Sequence, residues 1–111
     1  MSDFNSRIKN RLIALSNKGM FETFHIWSSG SLLNNQTTIV FKFQGIVYSV
    51  DLKFDSYVYI YRNNNFNDAL NPGKSRTVMK RIIDLRDIDA FFSDLGKVRT
   101  LPWEGLYSVT S

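Results

Sequence analysis

The chain has 111 residues, with 43% hydrophobic, 22% charged and 14% aromatic, a formal net charge of +4 and a pI near 9.5. This composition excludes a disordered segment and a membrane-embedded bundle, and the length predicts one domain spanning 1–111. With no cysteine, a disulfide framework, a thiolate metal site and a cysteine nucleophile are excluded.

The first twenty residues mix charged and apolar side chains and lack the apolar core of a signal peptide. No apolar run approaches bilayer-spanning length. The expectation is a soluble, cytoplasmic protein with no membrane partner. Within residues 3–18, Phe4, Ile8, Leu12 and Leu15 recur at helical spacing. Ser2 or Asp3 can cap the helix start, and Gly19 sits where a left-handed cap ends it.

Four strands follow, at 21–28, 37–43, 46–54 and 57–62. They are rich in β-branched and aromatic residues and joined by short turns at Gln44-Gly45 and Asp55-Ser56. Ile46, Tyr48, Val50, Leu52 and Phe54 share one face of the third strand, with Ser49, Asp51 and Lys53 on the other. On the second, Ile39, Phe41 and Phe43 point inward, whereas Thr38, Val40 and Lys42 point outward.

Residues 63–74 form a polar loop, and helical spacing returns from 76 in Val78, Ile82 and Leu85. Ile88, Phe91, Phe92 and Leu95 continue that stripe, Gly96 caps it, and Asp87 marks a point where a second helix starts. Trp103, Leu106 and Tyr107 are expected to pin the tail. The fold class is α+β in two layers: an N-terminal helix, a four-stranded antiparallel meander, and a C-terminal helix that is kinked or split. Both helices are expected on the same sheet face.

Pro72-Gly73-Lys74-Ser75 follows a strand and a loop, as a phosphate-binding loop does. Such a loop needs a glycine five residues before Gly73, where Asp68 stands, and its fold needs a parallel sheet. The sequence therefore argues against a nucleotide site, and Ser75 is expected to cap a helix instead. Lys74, Arg76, Lys80 and Arg81 then crowd that helix start, where an anion is favoured. The stretch "PGKSRTVMKR" (72–81) resembles, loosely, the basic stretch that opens the last helix of double-stranded-RNA-binding domains. A fourth strand and a last helix without a small-residue run depart from that family. The resemblance supplies a shape argument for nucleic-acid contact.

Catalytic chemistry finds no support. The single histidine, His25, lies on a strand, and Asp84, Asp87, Asp89 and Asp94 do not converge on one helical face. No cofactor or metal site is expected, and the protein is expected not to be an enzyme; a small basic ribonuclease is the enzymatic alternative. The fourth strand carries the functional expectation. If Val58 and Ile60 face the helices, Tyr57, Tyr59 and Tyr61 lie on the open face, with Trp27 of the first strand on a shared parity.

The leading expectation is a small binding protein acting by protein–protein contact through Trp27, Tyr57, Tyr59 and Tyr61. Size and asparagine content suit a phage or mobile-element inhibitor of a host factor. The alternative is a nucleic-acid-binding module using Lys42, Lys53, Lys74, Arg76, Lys80 and Arg81 together with the rings. An exposed edge strand or aromatic face also suits a homodimer.

Overall fold

The structure is a computed structural model that describes residues 2–29, 36–71 and 73–105. Helix α1 (Asp3–Asn17) precedes strands β1 (Thr23–Ser29), β2 (Gln36–Phe43), β3 (Ile46–Leu52) and β4 (Val58–Asn63). A single helical turn, α2 (Phe66–Ala69), leads to strand β5 (Thr77–Ile82), and helix α3 (Leu85–Gly105) follows. The five strands form one antiparallel meander in the order β1-β2-β3-β4-β5. The fold is thus the expected α+β arrangement with one strand more than the sequence suggested.

Both ends of α1 are set locally. The Ser2 hydroxyl accepts from the Asn5 amide at 3.1 Å, satisfying one of the free first-turn donors. At the other end Gly19 has φ +81°, which lets its amide and that of Met20 return to the carbonyls of Ser16 and Leu15. Phe4, Ile8 and Leu12 are buried, with Leu15 partly so. The β2–β3 hairpin turns on Gln44 and Gly45, with φ of 51° and 83°. Two positive φ values match the right-handed twist of the flanking strands in a two-residue hairpin.

One face of the sheet carries the core. Ile39, Phe41, Phe43, Tyr48, Val50, Leu52, Val58, Ile60 and Ile82 pack against Phe4, Ile8 and Leu12 of α1 and Ile88, Phe91 and Phe92 of α3. Phe21, just before β1, joins this aromatic cluster, 4.7 Å from Phe41 and 5.4 Å from Phe92 between ring centres. Both helices therefore cover the same face, and the opposite face is free of them.

Three expectations need correction. Residues 77–82 are a strand rather than the start of a helix. Thr77, Val78 and Ile82 are β-branched, and β4 would otherwise leave a row of backbone groups unpaired. The strand is bulged: Ile60 pairs with Lys80 and Tyr61 with Val78, leaving Met79 as the extra residue. The bulge puts Val78 and Ile82 on opposite faces although they stand four apart, which imitates a helical stripe. Ser75 therefore caps nothing. The cap of α3 is Asp84, whose Oδ1 accepts from the amides of Arg86 (2.9 Å) and Asp87 (3.3 Å). Asp87 answers, its Oδ2 accepting from the Asp84 amide at 3.2 Å, a reciprocal box of the capping kind.

Second, Gly96 does not cap, because α3 runs through it to Gly105. Third, Phe54 leaves the inward stripe of β3, which stops at Leu52; it is 46% exposed and stacks on Tyr57 with ring centres 5.0 Å apart. The tail packing expected of the Trp103, Leu106 and Tyr107 side chains lies outside the described residues.

Candidate functional site, a tyrosine and arginine ladder on the open sheet face

Val58 and Ile60 face the helices, so the tyrosines between them face away. Tyr57, Tyr59 and Tyr61 are half-buried and run as a ladder, with ring centres 5.6 Å and 6.1 Å apart. Stacking of Phe54 on Tyr57 extends the ladder by one ring. Two guanidinium groups lie on it: that of Arg76 is 3.7 Å from the centre of the Tyr61 ring, and that of Arg81 is 4.7 Å from Tyr57. Both distances are within range for attraction between a cation and the negative face of a ring.

A carboxylate fixes one rung. Asp51, on the open-face parity of β3, pairs with Arg76 at 2.9 Å through Oδ2 and accepts from the Thr38 hydroxyl at 3.0 Å through Oδ1. Both side chains of the ion pair are less than one quarter exposed, 23% for Arg76 and 16% for Asp51. Arg76 is thus held by a ring on one side and a carboxylate on the other. Asp51, Lys53, Phe54, Tyr59, Tyr61 and Arg76 line a cavity of about 190 Å³ beside it, smaller than the clefts that take drug-sized ligands.

The rest of this face is covered. The ring of Phe66 in α2 meets His25 of β1 edge-on at 5.8 Å, and α2 lies against β3 and β4. Val40, Ser49 and Asn63 on the outward parity are consequently buried, and Asn63 Nδ2 donates to Ser49 Oγ at 3.0 Å. Thr38 and Val40 do point away from the helices as expected, yet they do not reach solvent. The polar loop read at 63–74 contains this covering turn.

The sequence-derived residues divide accordingly. Tyr57, Tyr59, Tyr61, Arg76 and Arg81 come together, and Lys53 reaches the edge of the ladder, its Nζ 5.7 Å from the Phe54 ring. Trp27 is on the same face and 39% exposed, but β1 lies three strand spacings from β4, about 14 Å, so it stands apart from the ladder. Lys42 pairs with Val47 at the Asn63 end and is also separate. Lys80, opposite Ile60, points to the helix side, and Lys74 sits in an exposed turn. The four cations at 74–81 are thus not a cluster at a helix N-terminus; they are distributed along β5 and its approach.

Residues that sequence reasoning did not place here are Asp51, Thr38 and Phe54. For Asp51 the signal was present in its outward parity beside Lys53. Elsewhere, Asp89 pairs with Arg11 across α1 and α3, and the Asp84 carboxyl is held below its ordinary range by the Arg86 guanidinium and backbone amides. Among the described residues no group of His, Asp and Glu could hold a metal, and no helix is long and apolar enough to cross a membrane. Comparison of the chain with protein-family models, with curated proteins and with solved structures finds no match.

Proposed function

We propose that the protein is a binding module acting by protein–protein contact, and that the Phe54–Tyr57–Tyr59–Tyr61 ladder with Arg76 and Arg81 is its docking surface. The observation that carries this reading is the occupancy of the ring faces. Bases stack on open aromatic faces, whereas one face of the Tyr57 ring and one face of the Tyr61 ring each already carry a guanidinium group. What the surface offers a partner is an array of Tyr and Arg, residue types that dominate interface hot spots, beside a small cavity. Arg76 is already held between Asp51 and Tyr61, so it has less side-chain freedom to lose on docking. No catalytic role is assigned, and inhibition of a host factor by a phage-like protein is a setting compatible with this reading.

Nucleic-acid binding is the second reading, favoured by the cations that share the ladder and its edge strand. Fluorescence anisotropy with labelled single- and double-stranded DNA and RNA separates the two. The protein-contact reading expects no binding at physiological salt and at most weak binding at low salt. Tight binding that falls steeply with salt, in proportion to the phosphates neutralised, would replace it with the second reading.

A further inference from the structure

Strand β5 ends the sheet. Among the described residues no other strand pairs beyond it, and Thr77, Val78, Met79 and Arg81 are exposed. Among the described residues its outer row of N–H and C=O groups is therefore open to a further strand, the arrangement used when an extended peptide adds to a sheet edge. β1 is the opposite edge, and charge distinguishes the two. Residues 74–82 contain Lys74, Arg76, Lys80 and Arg81 and no acidic residue. Lys74, Lys80 and Arg81 have no carboxylate within ion-pair distance among the described residues.

Lys80 and Arg81 project to opposite faces of the sheet, because their partners on β4 are Ile60 and Tyr59. A strand laid along β5 also projects its side chains alternately to both faces, so it meets positive charge on each. A second copy of β5 would set like charges against like, which disfavours pairing, whereas acidic side chains at those positions favour it. The bulge at Met79 and the flanking cations are devices that suppress indiscriminate edge pairing. Val78 and Met79 add exposed apolar surface, at 55% and 37%, beneath any residue that crosses the bulge.

We propose that the outer edge of β5 receives an extended acidic segment of a partner protein, which adds to the sheet as a sixth strand. This rests on the protein-contact reading above and supplies the chemistry of the partner.

The test selects short peptides of random sequence on the whole chain, then follows backbone amide exchange with the synthesised winners bound. The expected winners are rich in Asp and Glu and slow the exchange of outward amides within 77–82. They lose binding when alternate peptide amides are N-methylated, and they bind the Lys74→Glu/Lys80→Glu variant severalfold more weakly. Methylation alters only the peptide, so this arm is independent of the protein's folding. Absence of winners, winners without acidic enrichment, tolerance of N-methylation, or self-association through β5 would each overturn the proposal. Winners that perturb 57–61 and leave 77–82 unchanged would overturn the edge while leaving the ladder reading intact. Tight nucleic-acid binding in the anisotropy assay would remove the ladder reading itself.

Discussion

Arg76 shows how a single side chain organises the open face. Its guanidinium joins Asp51, from the middle of the sheet, to Tyr61 on β4, and so ties the approach to β5 onto the strands before it. Removing it leaves the Asp51 carboxylate half-buried with the Thr38 hydroxyl as its remaining partner. Exposed pairs contribute little and buried pairs are costly to break, so Arg76→Ala should destabilise the fold by about 1–2 kcal/mol, measured by urea unfolding. Arg76→Lys should recover only part of this, because an ammonium cannot lie flat on the ring while meeting the carboxylate.

Asp84 makes a pH prediction. Its carboxyl is lowered in the fold, first by the Arg86 guanidinium and then by the amides it caps. A depressed carboxyl stabilises above its unfolded value and loses that contribution as pH falls through the folded one. The urea midpoint of the wild type should therefore fall more steeply than that of Asp84→Asn as pH drops below about 4. Asparagine keeps a capping oxygen, so at pH below the folded value the two midpoints should converge. Parallel profiles would show that the charge of Asp84 contributes nothing to the cap.

At the scale of elements, periodicity made most of the fold legible. Phe4, Ile8 and Leu12 announced α1, and the alternation of Tyr48, Val50 and Leu52 announced β3, because each stripe repeats without interruption on one buried face. The parity of Tyr57, Tyr59 and Tyr61 stayed open in the sequence, because apolar residues alternate with amphipathic rings there and either set can face a core; burial of Val58 and Ile60 decides it. β5 was illegible because its bulge breaks the period of two and leaves a spacing of four between Val78 and Ile82. Nor did the sequence reveal α2, one turn whose covering role depends on Phe66 meeting His25 across the sheet. The guanidinium placements were hidden for a similar reason: they depend on pairing between distant segments, and local spacing carries no trace of them.

The strand assignment is open to a direct check. In a helix with Val78, Ile82 and Leu85 on one stripe, truncating either of the first two would hurt alike. In the strand, Ile82 is fully buried and Val78 is 55% exposed. Ile82→Ala should cost about 2–4 kcal/mol by leaving a cavity in the core, and Val78→Ala should stay within about 0.5 kcal/mol of neutral. Equal losses at both positions would contradict the register of β5.

For the whole molecule, the division of labour is between the two sides of one sheet. The helix side is apolar and rich in rings and sustains the fold. The far side is partly sealed by α2, and what it leaves open is the ladder with its arginines, next to a basic edge strand. A net charge of +4 adds a general attraction for acidic partners, which acts on encounter more than on specificity. In the proposed function, specificity rests on the Tyr and Arg ladder. The most direct measurement is photo-crosslinking in the cells that express the protein, from a reactive phenylalanine analogue at position 54, against a control at Asn10, which is exposed on α1. A discrete protein adduct is expected from position 54 and none from position 10. Adducts to nucleic acid alone, or none from position 54 above the Asn10 control, would contradict it.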